Sequence, residues 1–212
     1  ACPAGSAAQE FRHELAARDV DQVVASASRV AAILHTSMGE RVLVVGAGVI
    51  GQVAAQIAAV MGGRVALCDI DADRLDTARG IGAAEKVVDV SGDGWSAGIP
   101  KGSHDVVIDV AGVPGMEDRL IDAAAHRGRL MLIAGRFEVK YTFNLGQMHE
   151  ITIKQNSHFD RGDLANVARL VQRRQVRIEP LIRDVLPVAE AAGFYERLRD
   201  RPETCMGTVF VW

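Results

Sequence analysis

The chain has 212 residues, 24 Lys and Arg against 27 Asp and Glu for a net charge of −3, and is 49% hydrophobic and 24% charged. These are the proportions of a globular protein with ample chain for a buried core, and they exclude a disordered polypeptide. So even a charge balance gives no general drive toward nucleic acid or anionic membrane, and no apolar run approaches the roughly 18–20 residues of a membrane helix. Cys2, Cys68 and Cys205 lie far apart without a CxxC pair, so neither a disulfide framework nor a cysteine-rich zinc knot is legible, and a reducing cytoplasm is expected.

Residues 1–10 are small and polar, without the basic and apolar regions of a signal peptide. Residues 1–18 are expected to be a leader or the remnant of another domain. Over residues 19–35, Val20, Val23, Val24, Ala27, Val30, Ala31 and Leu34 recur at intervals of three and four, which predicts an amphipathic helix started by Asp19 or Asp21. The run Arg41–Val45 predicts a strand leading into Gly-Ala-Gly-Val-Ile-Gly at 46–51 and then a helix up to about Met61. The alternation continues with strand 64–69, helix 71–80, short strand 86–90, a loop over Ser91–Gly102, strand 105–110, helix 114–127, strand 129–134 and strand 150–154. Strands alternating with helices predict a parallel sheet covered on both faces, and the Val, Ile and Leu runs in 41–45 and 106–110 fit strands buried on both sides. Residues 19–156 therefore form the predicted sheet domain. Beyond it, a helix over 163–173, an extended stretch over 176–186, a helix from Pro187 to Leu198 and a strand Thr208–Trp212 make a tail, 157–212. That tail is too small for a core of its own and must pack on the main domain or on a further part.

The chemistry is carried by the glycines. Gly46, Gly48 and Gly51 follow a buried-type strand, open a helix, and precede a second strand ending in Asp69, 18 residues beyond Gly51. In a dinucleotide site the first glycine permits the tight turn, the second leaves room for the pyrophosphate, and the third lets helix and strand pack closely. The free N–H groups of Val49 and Ile50 at the helix start supply the anion site. Asp69 would accept hydrogen bonds from both adenosine ribose hydroxyls and would repel a 2′-phosphate, which favours NAD over NADP. The predicted fold is thus α/β, a Rossmann doubly wound parallel sheet with helices on both faces plus a C-terminal helix-strand tail.

The segments GERVLVVGAGVIGQVAAQIA, DIDADRLDTARGIGA, VIDVAG, GRLMLIAG and ITIKQNS resemble the medium-chain dehydrogenase/reductase superfamily and, more narrowly, its zinc-dependent alcohol and polyol dehydrogenases. The resemblance runs from about residue 20 to the end, including EPLIRDVLPVAEAAGFYERL. It implies a cofactor domain with Asp69 and Arg74 on the adenosine ribose and the glycine turn on the pyrophosphate, and Ile70 is counted among the cofactor-binding residues. It also implies that the loops Ala111-Gly112-Val113 and Ala134-Gly135-Arg136 lie beside the nicotinamide, in agreement with the rule that ligands sit outside the carboxyl ends of parallel strands at the switch point. A homodimer or homotetramer is expected, paired at the edge near the sixth strand with Ile151 and Ile153 as candidates.

Several features depart from the family's pattern. The separate domain that carries the zinc ligands and proton relay in such enzymes is not in this sequence, so no catalytic residue and no metal ligand is assigned. Zinc is expected only if such a domain exists, because a catalytic zinc needs about three protein ligands. His149-Glu150 is read as a structural connection, and Asp21 as a helix cap as readily as a remnant ligand. Cys205-Met206-Gly207 replaces a cation that many relatives place near the last strand. Arg173, Arg174 and Arg177 are read as cations complementing a helix carboxyl end, Cys68 as a buried packing residue, His104 as a surface or edge histidine, and His158 and Asp160 as turn residues.

Two classes of function follow. The first is an NAD-dependent oxidoreductase passing hydride between a small alcohol or carbonyl substrate and nicotinamide, with this chain as mainly its cofactor-binding part. The alternative is a catalytically incomplete NAD(H)-binding module, or one subunit of a two-chain enzyme. A zinc-independent, quinone-reductase-like enzyme using NADP is disfavoured by Asp69.

Overall fold

The computed structural model describes residues 36–156 and 158–212; the helix expected over 19–35, with Asp21, lies outside the described residues. Six strands form one parallel sheet in the order β3-β2-β1-β4-β5-β6, where β1 is Arg41–Val45, β2 Arg64–Asp69, β3 Lys86–Asp89, β4 His104–Asp109, β5 Ala124–Leu132 and β6 Thr152–Gln155. The main helices are α1 Val49–Val60, α2 Ala72–Ile81, α3 Gly94–Gly98, α4 Glu117–Ala123 and α5 Phe143–His149. In the tail, α6 Arg161–Gln172 and α7 Ala191–Asp200 accompany a separate parallel pair, β7 Ile182–Pro187 and β8 Gly207–Val211.

The sheet is where the apolar runs placed it. Val42, Leu43 and Val44 are wholly buried, as are Val106, Val107 and Ile108 beside them. Successive side chains feed opposite faces: Val42, Val44, Val106 and Ile108 join Ala54, Ala55, Ala58 and Leu75 on one side, while Leu43, Val107, Leu120, Ile121 and Leu130 fill the other. Alanines along α1 let that helix lie close against the sheet. Capping residues set the helix ends: Asp71 accepts from the Arg74 amide at 3.0 Å at the start of α2, and Gly82, at φ +65°, closes it.

The structure departs from the sequence expectations in identifiable places. The helix expected over 114–127 is only α4, because from Ala124 the chain pairs with β4; cross-strand pairing wins over the helix preference of Ala123-Ala124-Ala125. Arg127, at φ +60°, and a register shift opposite His104 and Val106 mark where the strand bends. The loop expected over 91–102 contains α3, whose Trp95 is buried against the β-sheet cluster. The short helix α5 was not expected and buries little beyond Gly146. The extended stretch 176–186 is broken by a 3-10 turn at Glu179–Leu181.

The tail packs on α1. Val53 and Ile57 meet Val167, Val176, Ile178 and Leu181 in a third apolar cluster. The buried Gln56 side chain fastens the junction, donating to the Arg177 carbonyl at 3.1 Å and accepting from the Arg177 amide at 2.7 Å. At the opposite edge of the sheet, Ile151 and Ile153 pack against this chain's own core, so pairing at the β6 edge would rest on its backbone.

Candidate functional site at the carboxyl ends of the parallel strands

β1 and β4 are neighbours, with β2 and β3 on one side and β5 and β6 on the other. The sheet therefore changes direction of winding between β1 and β4, and the turns that follow these two strands open a crevice. The glycine turn forms one lip. Gly46 sits at φ +106°, and a Cβ there would lie 3.1 Å from the Ala111 amide nitrogen. At Gly51 a Cβ would stand 1.7 Å from the Gly46 carbonyl oxygen, so only glycine lets α1 start so close to β1. Gly48 differs from both: nothing lies within 4 Å of its would-be Cβ. It is also the N-cap of α1 without any side-chain capping bond, which leaves the first-turn amides of Val49 and Ile50 unclaimed by a capping group. Open space, free amides and a helix amino end are the donor set and shape that a pyrophosphate requires.

Asp69 closes β2 beside this turn. Its Oδ2 accepts from the Ala47 amide at 2.5 Å, and its Oδ1 from the Ile70 and Asp71 amides at 2.7 and 3.0 Å. A carboxylate has about four acceptor positions, so three are engaged by backbone and a ribose hydroxyl would take the remaining one or displace an amide. Ile70 beside it is 70% exposed, an apolar surface open to a ligand. Arg74 is close but turned aside, with Nε 3.6 Å from Asp71 Oδ2 and Nη2 donating to the Pro202 carbonyl at 3.5 Å. The buried Gln52 links the two regions by donating to the carbonyls of Ala47 and Arg74 at 2.9 and 3.2 Å.

The loops after β4 and β5 form the other lip, and here the structure adds residues that the sequence reading missed. Asp109, the last residue of β4, is 1% exposed, and Glu117 at the start of α4 is 3% exposed. The Arg136 guanidinium lies between them, with Nη2 on Asp109 Oδ2 and Nη1 on Glu117 Oε1 at 3.3 Å. The other Asp109 oxygen accepts from the amides of Ala111 and Gly112 at 3.0 and 3.1 Å. Gly112, at φ +67°, approaches Ala134 so closely that a Cβ would lie 2.7 Å from the Ala134 Cβ. Val113 is half-exposed at the rim. A cavity of about 540 Å³, lined by residues 132–139 with Gln155 and Asn156, lies beside this lip. The structure thus brings the 46–51 turn, Asp69, Ala111–Val113 and Ala134–Arg136 to one end of the sheet. Arg136, however, spends its charge on two carboxylates.

Residues 49–173 match the family model of zinc-binding dehydrogenases. The chain belongs to the zinc-binding dehydrogenase family. It is 25% identical over 172 residues to the 2-desacetyl-2-hydroxyethyl bacteriochlorophyllide A dehydrogenase of Rhodobacter capsulatus, a match covering 80% of this chain and 51% of that protein. It is 26% identical over 182 residues to the D-xylulose reductase of Saccharomyces cerevisiae, covering 81% and 51%. The chain spans about half the length of these curated relatives. Its fold is that of a short chain alcohol dehydrogenase of E. coli CFT073 solved with NADH, at a TM-score of 0.76 and 18% identity, covering 89% of this chain and 58% of that one.

For a chain of this zinc-binding dehydrogenase family, the described residues offer no zinc site: no group of three or more His, Cys, Asp or Glu side chains among them could hold a metal ion. The His149-Glu150 pair is used otherwise. His149 Nδ1 is 3.0 Å from the Ala124 carbonyl oxygen, and Glu150 accepts from Arg127 Nε at 2.7 Å, tying α5 to β5. Cys68 is buried in β2, and burial followed by the charge of Asp69 pushes its thiol up to about 12, which removes it as a nucleophile at neutral pH. His104 corrects an expectation. It is buried, not at the surface, with Nδ1 2.8 Å from Ser103 Oγ, and burial holds its pKa below the ordinary value. Asp160 caps α6 in a reciprocal pair with Asp163, and the His158 amide donates to Asn156 Oδ1 at 3.3 Å. No helix among the described residues is long and apolar enough to cross a membrane.

Proposed function

We propose that this chain is the NAD(H)-binding part of an oxidoreductase of the alcohol or polyol dehydrogenase type. The observation that carries this reading is the glycine turn, where Gly46 and Gly51 are required by close packing while Gly48 faces open space at an uncapped helix start. When bound, the nicotinamide supplies hydride acceptance and return. This chain's residues would bind and orient it: the amides of Val49 and Ile50 on the pyrophosphate, Asp69, Ile70 and Arg74 around the adenosine ribose, and the loops Ala111–Val113 and Ala134–Arg136 beside the nicotinamide. The NADH held by the E. coli CFT073 protein and the alcohol or carbonyl substrates named for several relatives support this assignment. Pairing of two copies at the β6 edge and residence in the cytoplasm complete the proposal.

NAD is favoured over NADP because Asp69 puts a carboxylate where a 2′-phosphate would fall. The test is Asp69→Ser. The affinity for NADPH relative to NADH, read by calorimetry, is expected to rise about tenfold or more, equivalent to ~1.4 kcal/mol. An unchanged ratio would show that Asp69 does not face the ribose.

A further inference from the structure

The Asp109–Arg136–Glu117 group is a heavily buried charge cluster of the crevice, and the binding reading above uses the loop that carries Arg136 but gives no task to its guanidinium or to the two carboxylates. The side chains of Arg136, Asp109 and Glu117 are only 10%, 2% and 4% exposed. Burying three charges is costly unless their geometry fixes something that apolar residues would not. What the group joins is specific. Asp109 belongs to β4, takes the amides of Ala111 and Gly112 with one oxygen, and holds the Ile133 and Ala134 amides on its own carbonyl at 3.0 and 3.2 Å. Arg136 belongs to the loop after β5 and also reaches the Ala134 carbonyl through Nε at 3.4 Å. Glu117 belongs to α4 and takes the far end of the guanidinium. Three segments converge on one planar fork, and Gly112 lies against Ala134 where they meet.

We propose that Arg136 is a positioning residue: bridging Asp109 and Glu117, it locks the loops after β4 and β5 into one preformed wall that holds the nicotinamide half of the cofactor. This rests on the NAD(H) reading above. The guanidinium does not touch the cofactor; it keeps Ala111–Val113 and Ala134–Gly135 in register so that their backbone meets the ring without first being ordered. Lysine retains the charge but is a point donor that cannot bridge two carboxylates in one plane. The adenosine and pyrophosphate contacts are made by the 46–51 turn and the end of β2; that turn meets the wall at Ala111, whose amide Asp109 holds with the oxygen that Arg136 does not use.

The experiment compares NADH with ADP-ribose, which carries the adenosine and pyrophosphate but not the nicotinamide, by calorimetric titration of the full chain and of Arg136→Lys. The wild type should bind NADH more tightly than ADP-ribose. In Arg136→Lys, NADH affinity should fall on the order of tenfold while ADP-ribose changes less than about twofold, as expected when only preorganisation of one subsite is lost. Glu117→Gln, which keeps the Arg136–Asp109 pair and the side-chain volume, should give the same selective loss at smaller size, and it supplies the readout if Arg136→Lys does not fold. Equal loss of both ligands would mean the cluster only stabilises the domain and would overturn the proposal, as would unchanged NADH binding in both variants. Equal wild-type affinities for the two ligands overturn it as well, with the nucleotide reading intact. A wild type that binds neither ligand sinks that reading and this proposal together.

Discussion

The six-stranded sheet and the two-stranded tail sheet are both parallel, yet they are buried very differently. β1 and β4 are enclosed along nearly their whole length, whereas β7 alternates half-buried and exposed residues, with Val185 54% exposed and Trp212, just past β8, 98% exposed. Helices of this chain cover both faces of the large sheet; the small one rests on an aromatic trio of Phe194, Tyr195 and Phe210 with ring centroids 5.5–6.1 Å apart. The contrast separates a region whose stability is internal from one whose apolar surface is only partly used.

Truncation should break the symmetry most clearly. Leu43→Ala removes a wholly buried side chain from the centre of the large sheet and is expected to cost about 2–5 kcal/mol, while Val185→Ala on the tail should cost less than about 1 kcal/mol. Urea denaturation of both variants measures the difference, and equal costs would mean that the two sheets are buried alike in solution.

Adding a methyl group sharpens the same contrast in the opposite direction. Gly51→Ala forces a Cβ into the Gly46 carbonyl, so it should destabilise by about 1–3 kcal/mol and abolish NADH binding. Gly193→Ala in α7 meets nothing within 4 Å and should stabilise by roughly 0.5–1 kcal/mol through its higher helix preference. Thermal melts of the pair give the sign of each change, and a Gly51→Ala protein that still binds NADH would contradict the close packing of α1 on β1.

The smallest effect concerns pH. His104 is buried in the sheet domain with its folded pKa lowered from 6.5, first by burial and then by Arg41. The unfolded chain therefore takes up a proton at a higher pH than the folded one, so stability is undiminished above about 6.5 and declines as pH falls toward the lower folded value. His104→Leu should flatten that decline, and Gly193→Ala should leave it intact. A series of denaturant midpoints between pH 5 and 8 would show whether the slope belongs to the sheet domain.

How much of this was legible in the sequence follows the range of the forces involved. The glycine turn and Asp69 could be read because strand, turn and helix follow one another and each glycine answers a local demand. The six strands could be read because β1 and β4 carry continuous apolar runs. The ends of α4 and β5 could not, since Ala123-Ala124-Ala125 favours helix and only the β4 partner, distant in sequence, decides otherwise. The Asp109–Arg136–Glu117 group was invisible for a related reason: Glu117 and Arg136 stand 8 and 27 residues beyond Asp109 along the chain, and no spacing rule links side chains joined by tertiary packing. Its one clue was a carboxylate directly after the apolar run Val106–Ile108. His104 departs from its expectation because a histidine at a strand start is usually wet, and only its pairing with Ala124, 20 residues along the chain, covers it.

The crevice between the glycine turn and the loop after β4 is proposed to hold NAD(H). Calorimetric titration of the chain with NADH and with NADPH tests it most directly. Saturable one-site binding of NADH and at least about tenfold weaker binding of NADPH are expected; absence of binding by both nucleotides would contradict the site, and equal binding of the two would contradict the NAD preference assigned to Asp69.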